Sequence, residues 1–252
     1  AIDTRFKFLA VALTKAGSEK SKCEPITLLH ERGTPTGLET TGAATIGRKA
    51  LAAVRDDLSP PEVRSAAEWK LFSKIAAAGV SWDEPGCGWI PKFCREVDMT
   101  KERPKFLSRA TPDALPLVEG RMVQAHRFGV KGHVSGTGRS ALWEAFPIGG
   151  SRLSPQFWIR PSDMPRANQH RVDVLRVGFC DIAGQTNERS LMASLIPAGV
   201  VCGNKVPTIL FPDDPSEERL LVWVSIANSF AFDWMLRRVL TTTVTAPILA
   251  LG

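Results

Sequence analysis

Helical periodicity occurs in only two zones of this chain, one near each end, so the long stretch between them reads as short strands and loops. In the first zone, residues 43–56 read as a helix that ends near Asp56-Asp57. Ser59-Pro60-Pro61-Glu62 follows as a helix entry: Ser59 caps, the prolines suit a first turn, and Glu62 completes a capping box. Val63, Ala67, Leu71 and Ile75 then repeat at every fourth position, on one helical face, and Gly79 closes the helix. In the second zone, Pro212-Asp213-Asp214-Pro215 forms a turn and residues 217–240 read as one long helix. Its broad apolar face carries Leu220, Trp223, Ala227, Phe230, Ala231 and Trp234, and the β-branched run Thr241 to Thr245 ends it.

Between the zones, apolar runs are short and separated by Gly, Pro and Ser clusters. Residues 80–118, with Trp82, Trp89 and Phe93, read as short strands and loops, and residues 117–178 as β-rich. Met192 to Ile196 and Val206 to Phe211 read as further strands. At the start, residues 4–14 alternate as a strand and residues 15–42 read as a strand pair with loose loops. The fold class is therefore α+β: N-terminal strands and helices, then a β-rich region packed on a long C-terminal helix. A division at residue 115 is expected, with a mixed segment over 1–115 and a β-rich region over 116–252.

A chain of 252 residues with 44% hydrophobic content buries a sizeable core without disulfides or a structural metal. The cysteines fit that reading. Cys23, Cys87, Cys94, Cys180 and Cys202 are odd in number, scattered and without a CxxC pair, which argues against a disulfide framework or a zinc site. Ala1 to Lys7 lacks the apolar core of a signal peptide. The most apolar stretch, Leu220 to Phe232, is short for a membrane span and carries Ser225, Asn228 and Ser229. No membrane segment and a cytoplasmic location are expected. A chain that begins almost inside a core-like strand suggests an upstream partner.

Catalytic patterns fail one after another. An amino-methyltransferase needs an Asn/Asp/Ser-Pro-Pro-aromatic loop to hold and stack a flipped base. The only Pro-Pro is followed by Glu62, and tyrosine is absent from the chain. The run Gly136-Thr137-Gly138-Arg139-Ser140 lacks the glycine and lysine of a phosphate-binding loop, since His133 and Arg139 stand there. Glu68-Trp69-Lys70 matches half of a metal-nuclease pattern, but neither Pro112-Asp113 nor Pro212-Asp213 is followed by Glu-x-Lys. His30, His126, His133 and His170 show no triad or metal spacing. No catalytic or metal residue is assigned.

A binding signal does stand out. Between Glu119 and Glu144 there is no acid, only Arg121, Arg127, Lys131 and Arg139, joined by His126 and His133. Five glycines interleave them and permit close backbone approach. With a net charge of +6, this window suits phosphate contacts or arginine readout of guanine edges. Arg121, His126, Arg127, Lys131, His133 and Arg139 are the candidate DNA-binding residues. Arg160, Arg166, Arg171 and Arg176 form a second basic stretch, diluted by Asp163 and Asp173.

Several ordered segments also resemble one family. They are Leu58-Ser59-Pro60-Pro61-Glu62, Arg95-Glu96-Val97-Asp98-Met99-Thr100 and Pro116-Leu117-Val118-Glu119-Gly120-Arg121-Met122-Val123. Phe179-Cys180-Asp181-Ile182 through Thr186-Asn187-Glu188-Arg189-Ser190, and Asn228-Ser229-Phe230-Ala231-Phe232-Asp233, follow. In this order they resemble the target-recognition region of type IIG-like N6-adenine DNA methyltransferases of restriction-modification and phage-defence systems. Val118 stands where that family has Tyr, Gln124-Ala125-His126 where Phe-Asp-His is common, and Cys180 where Arg is expected. The resemblance implies double-stranded DNA as partner and a methyltransferase catalytic domain, in the same or a separate chain. S-adenosylmethionine would bind that domain, with no cofactor in this one. It also implies that Glu188 and Arg189 form a framework ion pair. A metal-dependent DNA nuclease and a protein-interaction module that docks a catalytic partner are the alternative readings.

Overall fold

The structure is a computed structural model that describes residues 11, 25–28, 43–55, 57–79, 89–182, 187–214 and 216–240. The strand expected over 4–14 lies outside these residues except for Val11. The first elements are β1 (Ile26–Leu28), β2 (Ala44–Ile46), α1 (Arg48–Ala52), α2 (Ala66–Ala76) and β3 (Lys92–Cys94). Then come β4 (Leu115–Val118), β5 (Val123–Gln124), β6 (Arg127–Phe128), β7 (Lys131–Ser135) and β8 (Leu142–Ala145). The chain continues through β9 (Trp158–Ile159), β10 (Arg176–Phe179), β11 (Ala193–Ile196), β12 (Val201–Cys202) and β13 (Thr208–Leu210) to α3 (Glu218–Ala227) and α4 (Phe230–Val239). The fold is α+β.

An antiparallel sheet in the order β11-β10-β13-β3 carries the main core. All four residues of β10 are buried, as befits an interior strand. Val177, Phe179 and Ile209 of this sheet pack with Leu220, Trp223 and Leu236 of α3 and α4. Burial of each such side chain contributes roughly 1.5–3 kcal/mol. A second sheet, β12-β4-β9, pairs β12 parallel to β4 and β9 antiparallel to it. Strand β3 precedes residue 115, yet it hydrogen-bonds to β13 well after it, so the two halves of the chain share one sheet.

The helices differ from expectation in three places. Ala44–Ile46 is a strand paired with β1, and α1 covers only part of 43–56. Ala44 and Ile46 are buried while Thr45 between them is exposed, the period of a strand. Helix α2 starts not at Ser59 but at Ser65, whose hydroxyl accepts from Glu68 N–H, while Glu68 accepts from Arg64 N–H. Proline after Pro60 drives that residue away from helical dihedrals, so the helix cannot begin there. Phe72 rather than Leu71 is the buried anchor of α2 and joins Ile46, Leu51 and Met235 in a separate core cluster.

The long C-terminal helix is two helices. Asn228 ends α3, and Ser229 caps α4 by accepting from Phe232 N–H. Asn228 then uses its amide on β11: Oδ1 accepts from Ala193 N and Nδ2 donates to Ala193 O. The outer face of α3 leaves Leu221, Val222 and Ile226 exposed, and Phe230 at the start of α4 is 80% exposed. No helix among the described residues is long and apolar enough to cross a membrane.

Candidate nucleic-acid interface

The segment Lys131 to Ala145 forms a two-stranded ribbon. Its register pairs Lys131 with Ala145, Gly132 with Glu144, His133 with Trp143 and Ser135 with Leu142. One extra residue, Val134, interrupts the register between the last two pairs as a β-bulge. The root of the ribbon is fixed to the body. Phe146 N–H donates to Val130 O, and Arg127 donates through Nη2 to the carbonyls of Phe146 and Pro147. Gly132 is required there, because a Cβ would come within 2.5 Å of the Phe146 ring.

The tip is held as well. Gly136, at φ +75°, accepts from Gln156 Nε2 at 3.0 Å and lies 2.8 Å from His133 Nε2. A carbonyl oxygen only accepts, so this His133 nitrogen carries the proton. A Cβ at Gly136 would lie 2.6 Å from Ser140 O, so both its dihedral and its surroundings demand glycine. Gly138–Ser140 is a short 3-10 turn that completes the tip.

One face of the ribbon brings two of the sequence-derived residues, Arg121 and His133, onto one aromatic ring, and Lys131 shares that strand face. The Arg121 guanidinium lies over Trp143, 4.7 Å from the ring centre, and His133 meets the same ring edge-on at 5.4 Å. Lys131 lies two residues before His133 and so faces the same side. It has no ion pair among the described residues. Arg121 is half-exposed and lies 3.8 Å from Glu119, whose side chain is mostly buried. Burial pushes the Glu119 carboxyl up, against the opposing pull of Arg121, His133 and Arg103. Glu119 Oε1 and Trp143 Nε1 are buried without partners. On the opposite face, Glu144 pairs with Arg152, whose guanidinium lies over Phe146.

The other sequence-derived residues are elsewhere. His126 sits in the two-residue turn between β5 and β6 with φ +59°, its N–H donating to Ala193 O and its ring 3.5 Å from the Asn228 amide. Arg127 braces the ribbon root rather than facing outward. Arg139 lies in the tip, and its side chain is outside the described part of the structure. Trp143 was not singled out by the sequence, although it is the residue just before the acid that closes the acid-free window.

The second basic stretch does not form a cationic surface. Arg176 is wholly buried against Glu96, and Arg171 donates to Thr208 Oγ1 and Lys92 O. Arg160 pairs with Asp113 and Asp163. Arg189 does not pair with Glu188. Its guanidinium lies over Phe230 at 3.8 Å, while Arg237 donates to the Asn187 and Glu188 carbonyls.

Four of the five quoted sequence segments meet in space. Arg95 donates to Asp181, and Glu96 accepts from Cys202 N–H and both sides of Arg176. A Cβ on Gly120 would touch Cys180 Sγ at 3.2 Å. Asp233 accepts from Ser190 N–H. These residues are framework, and the ribbon lies in none of those segments. Burial raises the thiols of Cys94, Cys180 and Cys202, which keeps them protonated. No cluster of three His, Cys, Asp or Glu suited to a metal occurs among the described residues. The ribbon face offers cations and an aromatic ring, which suit an anionic ligand. No protein-family model matches the sequence, and no curated protein shows significant similarity to it.

Proposed function

We propose that this chain is the DNA-binding, target-recognition portion of an N6-adenine DNA methyltransferase or restriction-modification protein. The observation that carries this reading is that Arg121 and His133 meet Trp143 on one face of the ribbon, with Lys131 on the same strand face. Arg121 is held in place by Glu119 and the indole, so little freedom is lost when it meets a phosphate. Lys131, on the same strand face as His133, adds a charge with no ion pair among the described residues. The framework role of the resembling segments supports the same reading, because a ribbon outside the framework can vary with the target site. S-adenosylmethionine and methyl transfer then belong to a catalytic domain in the same or another chain.

The test is fluorescence anisotropy of the chain with a random-sequence duplex, compared with Arg121→Ala/Lys131→Ala. Two lost phosphate contacts reduce the slope of log K against log salt by about 2. Equal affinity and slope in the folded double variant would refute the assignment. One observation favours a protein partner as a second reading: the exposed apolar stripe of Leu221, Val222 and Ile226, continued by Phe230 with Arg189 over its ring. Co-purification of a catalytic subunit that Ile226→Asp abolishes, without DNA affinity, would favour it.

A further inference from the structure

The distal half of the ribbon has a composition that a solvated hairpin does not need. Val134 is 57% exposed and Leu142 is 62% exposed, and neither belongs to a core cluster. Leu142 is the residue before Trp143 on one strand, and Val134 is the residue after His133 on the other. The pleat turns Leu142 away from the cationic face, and Val134 is the extra residue of the bulge next to it. The bulge at Val134 adds twist at the point where the ribbon leaves the body. From Ser135 to Ser140 every side chain that the structure describes is exposed, yet the backbone is pinned by Gln156, His133 and the Ser140-to-Thr137 bonds. A rigid, exposed tip with two apolar side chains is prepared for a partner, since the entropy of ordering it is already spent.

We infer that the β7–β8 ribbon enters the major groove of duplex DNA tip first, setting Val134 and Leu142 against thymine methyl groups and leaving Arg121 and Lys131 at the phosphate rim. This rests on the DNA-binding reading above. Two paired strands with their side chains fit a groove about 12 Å wide but not the minor groove, about 6 Å wide. Depth agrees. Ser135 is four residues beyond Lys131, roughly 13 Å along an extended strand. The major groove is about 8.5 Å deep, so a tip near its floor leaves the Lys131 backbone roughly 4–5 Å above the rim, within reach of the phosphates for its long side chain. The body supports this orientation, because Phe146 and Ser154 cover Gly132 and only the distal ribbon is free to insert. Among base edges in the major groove, only thymine presents a methyl group, the natural contact for an exposed Val and Leu.

The experiment uses the full chain and Val134→Ser/Leu142→Ser, a change at exposed positions whose folding is checked by thermal melting. A preferred duplex is first selected with the wild-type chain from a random library. Affinity is then measured for that duplex, for the same duplex with uracil in place of thymine, and for random duplex. The expected result is wild-type preference for thymine over uracil of about five-fold or more per contacted pair. The variant loses that preference but keeps the wild-type affinity and salt slope for random duplex. Distamycin, which fills the minor groove, leaves wild-type binding intact. Salt-dependent binding with equal thymine preference in both proteins, or displacement by distamycin, would overturn the ribbon assignment while leaving DNA binding in place. Absence of duplex binding at low salt would overturn both.

Discussion

Glu96 and Arg176 lie wholly buried and grip each other twice, Nε to Oε1 at 2.5 Å and Nη2 to Oε2 at 3.0 Å. Glu96 also accepts from Cys202 N and Thr208 Oγ1, and Arg176 donates to the carbonyls of Val174, Pro197 and Val200. Residues from β10, β12, β13 and the stretch after β3 thus meet at one charge pair that bridges both sheets. Arg176→Met leaves the carboxylate buried beside fewer donors and is expected to cost about 3–5 kcal/mol in urea unfolding. Adding Glu96→Leu is expected to cost less than the sum of the single changes, with a coupling of about 1–3 kcal/mol. Additive effects would mean the pair is not the joint described here.

Asn228 closes the edge of β11 with its side chain, bonding both the N–H and the C=O of Ala193 and also Val224 O. Asn228→Ala leaves the buried Ala193 N–H without its acceptor, while Ala193 O keeps the His126 N–H, at a cost of about 1–3 kcal/mol. Hydrogen exchange at Ala193 is the specific readout: it accelerates in the variant if the amide is the cap, and stays unchanged if it is not.

Ser65 and Ser59 each precede a glutamate by three residues, but only Ser65 accepts from the glutamate N–H. Ser65→Ala is expected to destabilise by about 1 kcal/mol. Ser59, which bonds the exposed Asp57 instead, is expected to tolerate alanine within about 0.5 kcal/mol. A larger loss at Ser59 would restore the earlier helix start.

Glu119 binds its proton more tightly folded than unfolded, because burial outweighs the pull of Arg121, His133 and Arg103. The resulting stabilisation is complete below its ordinary value of 4.5 and is lost as pH rises through the folded value. Wild-type stability relative to Glu119→Gln is therefore expected to fall as pH is raised from below 4.5. A flat or rising difference would contradict the burial of this carboxyl.

Strand-rich organisation was legible because alternation and Gly/Pro punctuation are local: β11 and β13 fall inside the runs Met192 to Ile196 and Val206 to Phe211. The break at Asn228-Ser229 was hidden by apolar residues that continue at helical spacing across it, although Ser229 is a good cap. In the candidate site, Arg121, Lys131 and His133 were visible in the sequence as members of an acid-free window. Their grouping depends on Trp143 arriving from β8. Arg127 reads as one more cation until the carbonyls of Phe146 and Pro147 are brought to it by the ribbon. Arg171 and Arg176 look like surface arginines for the same reason, since Glu96 and Thr208 are distant in sequence.

The most direct measurement is the affinity of the full chain for a random-sequence duplex across a salt series. The expected result is binding at low salt that weakens with a log–log slope of about −2 or steeper, the signature of at least two neutralised phosphates. Absence of binding at low salt, or affinity that does not change with salt, would contradict a DNA-facing role for Arg121 and Lys131.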